Sequence, residues 1–165
     1  MIECFPENCN AWIQYAELER TMEEHERCRA IYLIASEENL DMPENLWKSF
    51  LDYEVEMENH EYARSLYSLL LSKTHHLKVY LSFANFESSI NEYVRARVLF
   101  NDAYLHFKTH QMNEERVMVL ENWLQMEEET KNEELIKKVQ NMMPKRIKKR
   151  RKIQNNNNDL QDESI

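Results

Sequence analysis

An aromatic residue returns at a near-constant interval along this chain, and that interval limits the fold more than any other feature. Trp12, Trp47 and Tyr80 lie 35 and 33 residues apart. Each opens a similar stripe. Trp12, Tyr15, Ala16 and Glu19 fall at i, i+3, i+4 and i+7, on one face of a helix. The pattern returns in WKSFLDYE and YLSFANFE, where Trp47, Phe50 and Glu54, and again Tyr80, Phe83 and Glu87, hold the i, i+3 and i+7 places and Tyr53 and Phe86 stand at i+6. A second stripe follows each first one. Sixteen residues after the aromatic stands a small residue (Cys28, Ala63, Ala96), followed directly by Arg29, Arg64 or Arg97. Tyr32, Tyr67 and Phe100 come four residues after the small one, and Ala35, Leu70 and Ala103 seven after it. That spacing again marks one helical face. A two-helix unit of this kind buries its apolar faces only against neighbouring units.

The spacing predicts helices over about 8–23 and 25–37, 44–58 and 60–73, and 76–90 and 93–108. Pro6 and Pro43 precede first helices, where proline is tolerated. The chain has no Gly, which disfavours turn-rich sheets and favours helices on short connections. Asn59 and Asn91 are expected at the left-handed residues of two inter-helix turns; the first turn, MEEHE, offers neither Gly nor Asn. A degenerate fourth unit spans 113–143. Its first helix, 113–130, carries Val117, Leu120, Trp123 and Leu124, with the carboxylate at a different offset from the aromatic. Its second, 132–143, is short and ends at Pro144, as a capping unit would. The expected organisation is a repeat array over 1–143 and a tail over 144–165.

The formal net charge of −9 is unevenly spread. Residues 137–165 hold nine of the 21 Lys and Arg but three of the 30 Asp and Glu. The acidic body is poorly suited to wide contact with phosphates, whereas the tail is suited to it. Lys145, Arg146, Lys148, Lys149, Arg150, Arg151 and Lys152 form a basic run with three readings: nuclear import, RNA or protein contact, or a solvated tail. The Asn-rich sequence beyond it buries too little apolar area to order itself. Cys4, Cys9 and Cys28 lack C-x-x-C spacing and read as reduced thiols of an intracellular protein. No apolar run is long enough for a membrane span, and the start does not read as a signal peptide.

Catalytic and cofactor chemistry find no foothold. There is no G-x-S-x-G, no phosphate loop and no H-E-x-x-H. His106 and His110 stand at i, i+4, but no third zinc ligand is recognisable, and they read as surface residues near a helix end. His75 and His76 read as loop or first-turn residues. The expectation is therefore no enzyme, no cofactor, no metal and no small-molecule substrate. The aromatic stripes, flanked by acids, read as core and not as base-stacking platforms. A carboxylate ending an apolar stripe needs a partner, because burying it alone is costly. Arg29, Arg64 and Arg97 follow Glu19, Glu54 and Glu87 by ten residues, so the expected pairing lies within each hairpin; the alternative is that each Glu reaches water. With no unit stacked before it, the first hairpin, with Ile13, Tyr15, Ile31 and Ile34, is expected to fray or to dock on something else.

A 33–35-residue hairpin with W-x2-[YF]-x2-[LYF]-E in its first helix resembles the half-a-TPR (HAT) repeat, with Tyr80 in place of the usual Trp. Four ordered segments, PENCNAWIQYAELE, LDMPENLWKSFLDYE, HHLKVYLSFANFE and MMPKRIKKRRK, resemble the C-terminal portion of the Crooked neck family of splicing factors. The resemblance implies an all-α, right-handed α-solenoid of HAT hairpins with a disordered tail. It implies a nuclear, non-enzymatic scaffold of the pre-mRNA splicing machinery, with partners in a NineTeen-type complex and among snRNP proteins. Two alternatives stay open: a HAT scaffold of another RNA-processing complex, and direct RNA binding through the tail. The family's array is much longer than this chain, and its acidic, aromatic tail is replaced here by Asn-rich sequence.

Overall fold

A computed structural model describes residues 8–38 and 44–144, and among these the chain is entirely helical. Eight helices follow one another: α1 (Cys9–Thr21), α2 (His25–Glu38), α3 (Glu44–Glu56), α4 (His60–Lys73), α5 (Leu77–Ser89), α6 (Tyr93–Thr109), α7 (Asn113–Thr130) and α8 (Glu133–Met142). The basic run and the Asn-rich segment lie outside the described residues. Helices adjacent in sequence pack together, and α1 also meets α3 while α5 meets α7. This nearest-neighbour order is compatible with a helical-repeat solenoid.

Each hairpin closes through the same turn. A left-handed residue stands four positions after a glutamate: Glu23 after Glu19, Glu58 after Glu54, Asn91 after Glu87 and Lys131 after Glu127. The next residue's N–H returns to that glutamate's carbonyl, at 3.0 Å for Glu24 and Asn59, 2.9 Å for Glu92 and 3.4 Å for Asn132. A second bond runs from the left-handed residue's own N–H to the carbonyl three residues back, as from Glu58 to Val55 at 3.0 Å. Together these make a Schellman closure. In the second turn Glu58, not Asn59, is left-handed. Asn59 is instead the residue preceding α4, and its side chain serves the core (below). The first turn manages with Glu23, and accepts the steric cost of a Cβ at positive φ.

The repeat's small residues explain how the helices come so close. Cys28, Ala63 and Ala96 are fully buried, as are Ala16, Ala35, Ala84 and Ala103. Large side chains fill the space between them: Tyr32, Tyr53, Phe50, Phe100 and Phe107 are almost wholly enclosed. Trp47 is buried inside the second hairpin, and Tyr80 takes the Trp position of the third, its hydroxyl 3.1 Å from His75 Nδ1. Cys28 is a free thiol.

Candidate functional site

The buried polar residues of the described chain are four glutamates: Glu19, Glu54, Glu87 and Glu127. Three of them are held by arginine forks, and the forks come from the preceding hairpin. Arg29 on α2 donates from Nε to Glu54 Oε1 at 2.6 Å and from Nη2 to Oε2 at 2.9 Å, on α3. Arg64 on α4 makes the same two bonds to Glu87 on α5, at 2.8 and 2.9 Å. Arg97 on α6 makes them to Glu127 on α7, at 2.8 and 2.9 Å. The expected pairing within hairpins (Arg29 with Glu19, Arg64 with Glu54, Arg97 with Glu87) is thus replaced by pairing between them. The reason lies in the shared face. Arg29 and Tyr32 are at i, i+3, so the guanidinium points where the tyrosine points, onto the next hairpin.

An aromatic stack accompanies each fork. Tyr32 lies on Phe50 with centroids 4.9 Å apart, Tyr67 on Phe83 at 4.7 Å and Phe100 on Trp123 at 5.9 Å, all nearly parallel. Each lower ring stands four residues before the glutamate, so one side of each helix receives a ring and the next turn receives a cation. Tyr32 and Tyr67 add a hydroxyl contact to Ser49 (2.7 Å) and Ser82 (2.9 Å). Phe100 has no hydroxyl to offer. The fourth unit therefore keeps the repeat after all: Leu120 takes the Trp position, Trp123 the Phe position and Met126 the next, and Glu127 follows Leu120 by seven. The carboxylate offset differs only when counted from Trp123; from Leu120 it equals that of the other units.

The carboxylates have further donors. Asn59 Nδ2 reaches Glu54 Oε2 at 3.1 Å. Glu127 accepts from Trp123 Nε1 at 2.9 Å and from Thr130 Oγ1 at 3.3 Å. Burial pushes the Glu127 carboxyl up, but the bonds from Arg97, Trp123 and Thr130 outweigh it and hold the group below its ordinary range. Hydrogen bonds to Glu87 hold Arg64 above its ordinary value, and the Glu54 and Glu127 carboxylates do the same for Arg29 and Arg97. Arg29 also lies over the Tyr62 ring at 5.4 Å. A lysine, with no planar fork, cannot reproduce this set of contacts.

The first glutamate stands apart. Glu19 is buried, yet its Oε2 accepts no hydrogen bond, and Arg27 stops 3.8 Å away. On the same helix Tyr15 and Leu18 are exposed. Elsewhere an open groove of about 430 Å³ runs between α3, α4 and α5 over Trp47, Leu51, Leu70 and Val79, with the Lys78–Glu44 pair (2.9 Å) at its rim. The His106 and His110 rings lie tilted with centroids 4.3 Å apart, and the fold adds His75, stacked on His106 at 4.4 Å, which sequence spacing did not bring to them. Among the described residues no group of three or more His, Cys, Asp or Glu is arranged to hold a metal ion. No helix there is long and apolar enough to cross a membrane.

Among the described residues, two-helix units joined by a ring and a fork fit the class of all-helical, TPR-like repeat proteins. No protein-family model matches the chain. Individual proteins do. It is 44% identical over 167 residues to protein crooked neck of Drosophila melanogaster, covering 94% of this chain and 24% of the fly protein. Against crooked neck-like protein 1 of Homo sapiens it is 42% identical over 157 residues, covering 93% of this chain and 18% of that one. Against pre-mRNA-splicing factor CLF1 of Paracoccidioides brasiliensis the figures are 40% over 170 residues, 92% and 25%. By this homology the chain belongs to the crooked neck family. It spans a quarter or less of the length of these curated relatives.

Proposed function

We propose that the protein is a non-enzymatic scaffold of the pre-mRNA splicing machinery and acts in the nucleus. The supporting observation is the 38–44% identity, over about nine-tenths of the chain, to proteins named for crooked neck or for pre-mRNA splicing. The ladder of forks suits that role. It fixes each hairpin on the next, so the array works as a stiff, right-handed solenoid of HAT hairpins on which partners dock without chemistry. Following the family resemblance, the partners are proteins of a NineTeen-type complex and of snRNPs. The basic run, Lys145 to Lys152, serves import or RNA contact.

The test is immunoprecipitation of the tagged chain from nuclear extract, with mass spectrometry and RNA sequencing of the captured material. Enrichment of splicing proteins and small nuclear RNAs is the expected result. Enrichment of a different RNA-processing complex would replace the reading with a HAT scaffold of that complex. The charge asymmetry supports a second reading, direct RNA binding by the tail. It predicts an electrophoretic shift with short RNA that disappears when Lys148, Lys149, Arg150 and Arg151 become Ala. If the run is an import signal, the same variant loses nuclear accumulation.

A further inference from the structure

Each hairpin turn has one position three residues beyond its stripe glutamate, just before the left-handed residue. Met22, Met57 and Ile90 fill it in the first three hairpins, and Thr130 fills it in the fourth. Thr130 is the last residue of α7 and is half-buried. Its Oγ1 lies 2.9 Å from the Glu127 carbonyl oxygen and 3.3 Å from Glu127 Oε2, with one proton to share between them. That carboxylate is fully buried and carries the two-bond Arg97 fork that joins α7 to α6. Arg97 Nη2 and Thr130 Oγ1 thus meet at the same oxygen. In this hairpin alone, a hydroxyl stands at the turn where the others place an apolar side chain. We propose that Thr130 is a phosphorylation site, and that its phosphate releases the α7–α8 hairpin from α6.

In the transfer, Oγ1 bonds to the γ-phosphorus of ATP as the bond to the bridging oxygen breaks. ADP leaves, and the hydroxyl proton passes to the carboxylate base of the kinase. The product carries a charge of about −1.5 to −2 at pH 7 and no donor. It sits at the negative end of the α7 dipole, beside a carboxylate that water does not screen. One guanidinium fork cannot serve both anions, and turning Arg97 to the phosphate strands Glu127 in the core. The turn also gives a kinase access. Its closing bond, from Asn132 N–H to the Glu127 carbonyl, is 3.4 Å long, against 2.9 to 3.0 Å in the other three hairpins. The flanks set the enzyme class. Glu128 and Glu129 precede the threonine and Glu133 stands three residues after it. None of residues 121–129 is Lys or Arg, and the next residue is Lys131, not Pro. An acid-directed kinase fits this segment, and a base-directed or proline-directed one does not. Thr21 is the internal comparison: Glu24 stands three residues after it, yet its hydroxyl bonds the Leu18 carbonyl, away from any fork. The inference is independent of any role in splicing.

The full chain is incubated with casein kinase 2, an acid-directed enzyme, and Mg-ATP, and the phosphate is placed by tandem mass spectrometry. Phosphate on Thr130 is expected. Its absence there, including phosphate on Thr21 alone, would overturn the inference. Hydrogen exchange is then measured on a Thr21→Val background, so that the first turn contributes no phosphate. Amides of residues 120–142 should exchange about tenfold faster after phosphorylation, while those of 44–73 keep the parental rate. Thr130→Val removes the hydroxyl without adding charge and should stay within about threefold of the parent. Treatment with a phosphatase should restore parental exchange. Unchanged exchange on phosphorylation, an equal loss of protection in Thr130→Val, or a loss that the phosphatase does not reverse would each overturn the inference.

Discussion

At the scale of single residues, the carboxylates that end three of the four apolar stripes, Glu54, Glu87 and Glu127, are acceptors for the neighbouring hairpin. Glu54 has no exposed side-chain surface, and Arg29 retains about a third of its own. A buried pair of this kind adds little beyond what a good apolar contact would give, but removing one partner strands the other charge. Arg29→Met should therefore cost about 3 kcal/mol in a denaturant titration. In a double-mutant cycle, Glu54→Gln with Arg29→Met should couple by about 1 kcal/mol or more, whereas Glu54→Gln with Arg64→Met should be additive to about 0.5 kcal/mol. The reverse outcome would restore pairing within the hairpin. Acid titration reads the same ladder at Glu127. Its folded pKa is depressed, so the stabilisation is complete above the unfolded value of about 4.3 and is lost as pH falls through the folded value. The stability gap between the parent and Glu127→Gln should be full at pH 7 and should shrink below about pH 4, measured by urea denaturation across that range.

At the scale of elements, the unit of construction is a helix pair closed by a left-handed residue with no glycine to fill it. Glu23, Glu58, Asn91 and Lys131 occupy that position at φ between 54° and 63°. Asparagine tolerates the conformation better than glutamate or lysine because its short amide can bond locally. Glu58 is exposed and lies one residue from the Asn59 amide that serves Glu54. Replacing Glu58 with Gly removes the Cβ clash and keeps the Schellman bonds. It should stabilise the protein by about 0.5–1 kcal/mol, read as a raised midpoint in thermal or denaturant unfolding. An unchanged or lowered midpoint would mean that the turn contributes through its glutamate side chain. The helix ends also explain the ladder's regularity. Glu54, Glu87 and Glu127 each give their carbonyl to the turn and their carboxylate to the previous hairpin, so a single position fixes both the hairpin and its neighbour.

At the scale of the whole molecule, the buried side chains form two clusters that share α5. Phe83 and Phe86 join the cluster of α1–α4, while Tyr80 and Ala84 join that of α6–α8. Among the described residues, helix α5 is thus the seam between two packed halves. Weakening the α4–α5 interface by Phe83→Ala, at about 3–5 kcal/mol, together with Arg64→Met, should uncouple the halves. Hydrogen exchange in rising denaturant should then show residues 8–73 losing protection at a different concentration from 93–142. A single transition for all amides would mean that cooperativity runs through contacts other than this fork and ring.

The sequence by itself determined the helical class, the repeat and, in α3 and α5, the face the stripe buries, because the 3.6-residue period is a local property of the backbone. It also required a partner for every glutamate on an apolar stripe, because desolvation penalises an unpaired carboxylate wherever it lies. Only the tertiary structure decided which arginine answers. Along the chain each Arg follows one stripe glutamate by ten residues and precedes the next by 25, 23 or 30, so both candidate partners recur once per hairpin. Periodicity alone therefore cannot separate pairing within a unit from pairing between units. One local clue was present, since Arg29 shares a face with Tyr32 and Glu54 shares one with Phe50. Using it requires knowing that those two rings stack. The same limit hid Glu127 behind the shift from Trp to Leu120, and separated His75 from His106. Which hairpin faces which is set by the packing of whole helices, and that is decided by close approach at the buried Cys28, Ala63 and Ala96 and not by any single turn of the chain.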